Sequence, residues 1–188
     1  MKLTTLALLT LTLFACSPNL RLLEEDPFIK AIENNDIDKV KEIFKSGRIT
    51  KDSRLTSAFP AVRAKTVEML EALEALGFDH KWDGTEYRHM LFEILNGRNF
   101  DASLELIEAV IKRGHSVNFQ PDGDKYTPAM LAVFFANKQR VEKLKILTAH
   151  GADYSLKDYK GRTLYQTLKA KDYRHDVIKY LESIGVNK

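Results

Sequence analysis

The sequence predicts an all-α chain of about five helix-turn-helix units. Three observations carry this expectation: glycine closes one amphipathic run after another, the intervals between these glycines are nearly constant, and mostly polar stretches separate the runs. The glycines are Gly47, Gly77, Gly114, Gly151 and Gly185, spaced by 30, 37, 37 and 34 residues. The residue just past a helix end often takes the left-handed conformation, which costs glycine nothing, so each glycine reads as a helix C-cap. A period of this length implies stacked helical hairpins with short hairpin-like connecting turns. No such hairpin buries its apolar face alone, so each must pack on its neighbours.

The elements follow in order. Residues 1–15 carry one charge, Lys2, and an apolar run of 13 residues from Leu3 to Ala15. That is too short to cross a bilayer as a helix but suits the core of a secretory signal. Residues 16–25 make a short tether, and 26–188 the folded domain. Phe28 to Asp36, followed by Val40 to Phe44, gives a first hairpin. Over 49–100 the pattern is hard to place, so the count is five units, or four and an irregular segment.

Leu104, Ile107 and Ile111 then recur at helical spacing, with Glu105, Glu108 and Lys112 on the other side and Asp101 where an N-cap is wanted. Thr127 is placed to cap the next helix with its hydroxyl, and Pro128 suits a first turn, where its missing N–H has no partner to lose. Phe134 and Phe135 end that helix, either filling the core or projecting from a concave face. The segment from His150 to Leu164 is the turn into the last hairpin.

These residues resemble ankyrin repeats. Asp124-Lys125-Tyr126-Thr127-Pro128-Ala129-Met130-Leu131-Ala132 is similar to the family's Thr-Pro-Leu-His-x-Ala opening, with Ala129 and Met130 in place of Leu and His. Gly161-Arg162-Thr163-Leu164 has the same start without the proline. Gly114-His115-Ser116-Val117-Asn118 and Gly151-Ala152-Asp153 are similar to its Gly-Ala-Asp-Val-Asn ending. The resemblance spans residues 26 to 187, weakest over 49 to 100. It implies an all-α ankyrin solenoid whose turns and first helices line a concave, protein-gripping face.

Leu13-Phe14-Ala15-Cys16 resembles a bacterial lipobox. The resemblance implies cleavage before Cys16, acylation of that cysteine, and, because Ser17 rather than aspartate follows, a periplasm-facing place on the outer membrane. Two or more acyl chains make such an anchor long-lived. The alternative is a plain signal peptide followed by a buried thiol. Cys16 is the sole cysteine, so no internal disulfide can form.

Composition excludes several function classes. With 44% hydrophobic and 29% charged residues the chain can build a core, and a formal net charge of +3 makes no case for nucleic acid. The charge is uneven, however: residues 138–188 hold 12 basic and 6 acidic side chains. The five histidines form no His-Glu-x-x-His pair, and no metal site, cofactor or catalytic residue is expected. Gly114-His115-Ser116 lacks the final glycine of a nucleophile elbow, and Asp122-Gly123-Asp124 has too few oxygen ligands for calcium.

The remaining candidates are aromatic. Trp82, Tyr87, Phe119, Tyr126, Tyr154 and Tyr159 lie in or beside the expected turns, where an apolar body with a polar tip suits a binding hot spot. The expected function is therefore a lipid-anchored module, monomeric and non-enzymatic, that binds one protein. Its resemblance to ankyrin-type immunity lipoproteins implies a partner such as a type VI secretion phospholipase effector. A scaffold that docks or protects an envelope enzyme is the alternative.

Overall fold

The computed structural model describes residues 26–49, 61, 63–78, 90–96, 102–135 and 138–187. All regular structure among them is α-helical: α1 (Pro27–Glu33), α2 (Ile37–Lys45), α3 (Val67–Ala75), α4 (Met90–Leu95), α5 (Leu104–Lys112), α6 (Pro128–Phe134), α7 (Arg140–Ala149), α8 (Leu164–Lys171) and α9 (His175–Ser183). The expected leader, the tether and much of the 49–100 stretch lie outside the described residues.

Short polar side chains start most of these helices by taking up otherwise orphaned first-turn amides. Asp26 accepts from Phe28 N at 2.8 Å, Asp36 from Lys39 N at 3.0 Å and Thr66 from Met69 N at 3.2 Å. Thr127 caps α6 as the sequence predicts, accepting from Met130 N at 3.2 Å with Pro128 in the first turn. Thr163 and Gln166 bond each other's backbone reciprocally at the start of α8, at 3.2 and 3.1 Å. At α5 the cap is Ser103, which accepts from Leu106 N at 3.1 Å; Asp101 is not described. The buried stripe of α5 is correspondingly Leu106, Ile107, Val110 and Ile111, with Leu104 half-buried.

The helix ends repeat one geometry. Gly77, Gly151 and Gly185 sit at φ +88°, +83° and +83°. In each case the next amide reaches back over the glycine: Phe78 N to Leu73 O at 3.0 Å, Ala152 N to Leu147 O at 3.0 Å, Val186 N to Leu181 O at 2.9 Å. These six-to-one bonds satisfy carbonyls that the helix leaves open. Gly47 and Gly114 share the left-handed backbone.

Adjacent helices pair as α1–α2, α4–α5, α6–α7 and α8–α9, and the second members also touch in sequence, α3 to α5, α5 to α7 and α7 to α9, while α4 meets α6. Leu73, Leu106, Leu144, Leu147 and Leu181 have no exposed surface along that row. Polar ties cross between neighbouring helices at the margins. Arg113 grips Glu74 with Nε to Oε1 at 2.7 Å and Nη2 to Oε2 at 2.9 Å, and Arg63 pairs with Glu33. The Glu74 bond holds Arg113 above its usual arginine range.

Two substitutions test this account by equilibrium chemical denaturation. Leu147→Ala is expected to cost about 2–5 kcal/mol, the range for truncating a fully buried leucine. Gly151→Ala is expected to cost about 1–2 kcal/mol for conformation alone, because a Cβ at that position would meet nothing within 4 Å.

Candidate partner-binding surface

The turn segments are built before any aromatic is placed. Asn118 spans two of them, its Nδ2 donating to Gly151 O at 3.0 Å while its Oδ1 accepts from Asp153 N at 2.7 Å. Gln120 does the same further out: its Nε2 donates to Lys125 O at 2.6 Å and to Lys157 O at 2.9 Å. Asp158 is 4% exposed and organises the following turn, its Oδ1 accepting from Lys160 N at 2.9 Å and Arg162 N at 3.0 Å. Each is a side-chain amide or carboxylate bonded to backbone, the arrangement by which Asn, Gln and Asp stabilise non-helical chain.

On this frame two of the expected aromatics come together. Tyr159 donates its backbone N–H to Asp124 O at 3.1 Å, which fixes it near Tyr126. Its side chain is 54% exposed, and the Lys160 ammonium lies 5.2 Å from the ring centre. Tyr126 is half-buried. Its ring packs edge-on against Phe134 at 5.6 Å and tilted against Phe135 at 6.1 Å, and both phenylalanines are partly buried against the core, so the three rings form an aromatic strip beside α6. Burial first, then the nearby Asp124, Tyr159 and Asp158, raise the Tyr126 hydroxyl above its usual range. At neutral pH Tyr126 therefore presents a neutral phenol.

Phe119 is also half-buried, edge-on to Phe92 of α4 at 6.3 Å. Phe92 was not singled out by the sequence, although its place on α4 beside the turns carries the same aromatic signal. Trp82, Tyr87 and Cys16 lie outside the described residues.

Tyr154 occupies a different environment. It is 9% exposed, with its hydroxyl 2.8 Å from Thr148 Oγ1, and Tyr180 of α9 brings its own hydroxyl to the same oxygen at 2.9 Å. The Thr148 hydroxyl donates to Leu144 O at 2.8 Å, which leaves its lone pairs to accept from both phenols. Tyr154 thus locks the turn to α7 and α9 from inside. Burial pushes its hydroxyl up to about 12.

Among the described residues no cluster of three or more His, Cys, Asp or Glu is placed to hold a metal, and no helix is long and apolar enough to cross a membrane. What the surface offers chemically is contact: phenol hydroxyls, aromatic faces and a flanking lysine on a hydrogen-bonded frame.

The Tyr154 environment predicts a pH dependence. Its folded value lies above the unfolded phenol value of about 10, so its contribution is complete below pH 10 and is lost as pH rises through about 12. Denaturation midpoints are expected to hold level to about pH 10 and then drop, by about 2–3 kcal/mol for this group in total. In Tyr154→Phe that part of the drop disappears. Compared with known proteins, the chain matches no family model and no curated sequence.

Proposed function

We propose that the chain is an ankyrin-repeat protein, carried to the periplasmic face of the outer membrane by acylation at Cys16, whose activity is to bind one protein partner. The partner is a secreted, envelope-damaging effector such as a type VI lipase, and the chain is the immunity protein that occludes it. The observation that carries the binding reading is the pair formed by Tyr159 and Tyr126: one ring mostly in solvent with its backbone N–H bonded to Asp124 O, the other half-buried and packed on Phe134 and Phe135. Rigid aromatic contact area exposed to water is the feature that binding hot spots share.

The repeat reading is supported by the left-handed glycines at Gly47, Gly77, Gly114, Gly151 and Gly185, and by the lateral succession α3, α5, α7, α9. Such a stack keeps its turns on one edge, where successive turns sum into one surface. Phe119 extends the proposed contact from the preceding turn, Trp82 and Tyr87 are proposed to join it from outside the described residues, and Tyr154 holds its turn from beneath. An anchor at Cys16 concentrates the binder beside the membrane under attack.

The test pairs the chain with the product of the gene adjacent to its own. Co-expression is expected to rescue cells from that product, and the purified proteins to bind with micromolar affinity or better. Tyr159→Ala and Tyr126→Ala are each expected to weaken binding by about tenfold or more, the scale of an aromatic hot spot. Binding without rescue favours the scaffold role; no binding removes the immunity reading.

A further inference from the structure

The excess of basic residues in the last quarter of the chain is not absorbed by the aromatic rings alone. It has a focus in the turn before α8, where Lys157-Asp158-Tyr159-Lys160 reads in sequence as mixed charge. The fold separates those charges. The Asp158 side chain is 1% exposed and is used within the turn: Oδ1 accepts from Lys160 N at 2.9 Å and Arg162 N at 3.0 Å, and Oδ2 pairs with Arg162 Nη2 at 3.3 Å. Lys157, Tyr159 and Lys160 are left on the outside, and neither ammonium meets a carboxylate within 4.0 Å among the described residues. Toward solvent the turn therefore shows two cations and one aromatic ring, with the Lys160 ammonium 5.2 Å from the Tyr159 ring centre.

This ridge is built before any partner arrives. Gln120 Nε2 donates to Lys157 O at 2.9 Å, and Tyr159 N donates to Asp124 O at 3.1 Å. The loop closes on itself through Asp158 N to Arg162 O and Gly161 N to Asp158 O, both at 2.9 Å. A backbone fixed at these points loses little freedom on binding, so its charges act without first being ordered. The neighbouring turn carries Asp122 and Asp124, both exposed. The positive ridge thus has an acidic border, which repels a uniformly anionic polymer or membrane surface but suits a protein segment in which carboxylates alternate with apolar side chains.

We propose that Lys157, Tyr159 and Lys160 form the receptor for an acidic segment of the protein partner, its carboxylates on the two ammoniums and an apolar side chain on the Tyr159 ring. The inference rests on the protein-binding reading but not on the partner being an effector. Lysine-to-carboxylate contacts at the rim of an aromatic hot spot steer encounter and fix register, so they show most strongly in the association rate and at low salt.

Two arms test it on the full chain. In the first, amide chemical shifts are followed at low ionic strength while a short peptide of alternating glutamate and leucine is added. Its lysine-leucine counterpart and glycerophosphoglycerol, an anionic lipid headgroup without acyl chains, serve as comparison probes. Saturable shifts centred on residues 157–160 are expected for the acidic peptide alone. In the second arm the product of the adjacent gene is titrated. Combining Lys157→Glu with Lys160→Glu is expected to keep the melting temperature, slow association by about tenfold or more and flatten its salt dependence; Lys145→Glu, on the exposed face of α7, is expected to change nothing. If that product does not bind, the immunity reading falls and the peptide arm alone decides the receptor. If it binds, and Tyr159→Ala weakens it while the double charge reversal does not, the receptor falls and the binding reading stands. No saturable shift at 157–160 with the acidic peptide, or equal shifts with either comparison probe, also overturns the proposal.

Discussion

Helices of nine or ten residues, the lengths of α3, α5, α7 and α9, are too short to persist alone in water, because nucleation costs more than a few intrahelical bonds return. Their lateral burial is the constraint on which the rest depends. Leu73, Leu106, Leu144 and Leu181 carry it, each wholly removed from solvent and each contributing about 1.5–3 kcal/mol by transfer from water. The helices exist because they touch, and the turns take up their positions only once that row has formed.

The polar ties do a separate job. Asn118 and Gln120 each bond backbone in two segments, and Asp158 fills a turn too small to hold an apolar core. Such bonds contribute little net stability, about 1 kcal/mol each, but they restrict the conformations of loops whose exposed aromatics would otherwise lose entropy on binding. The frame under Tyr126 and Tyr159 thereby sets how much ordering the proposed partner would have to impose.

Much of this was legible in the sequence, for local reasons. Glycine at a helix end and Thr-Pro at a helix start are dictated by chain geometry within a few residues, and Gly77, Gly151, Thr127 and Pro128 behave accordingly. Features decided by distant partners were less legible. Ser103 caps α5 where Asp101 was expected. Tyr154 reads as a turn aromatic, yet Thr148 and Tyr180 draw it inward. Phe92 becomes part of the surface only through Phe119, and Asp158 becomes a turn organiser only once Arg162 folds back to it. Nothing local marks Gln139 or Arg174 for a left-handed backbone, since neither is glycine, asparagine or aspartate.

The side-chain ties between neighbouring hairpins have a kinetic corollary. Arg63 to Glu33 spans 30 positions, Asn118 to Gly151 spans 33, and Arg113 to Glu74 spans 39. Partners so near in sequence make for low contact order, so little loop-closure entropy stands between the unfolded chain and its first native contacts. In the repeat stack proposed for this chain, structure would nucleate in a central pair and propagate outward, leaving the outer pairs as the places where unfolding begins.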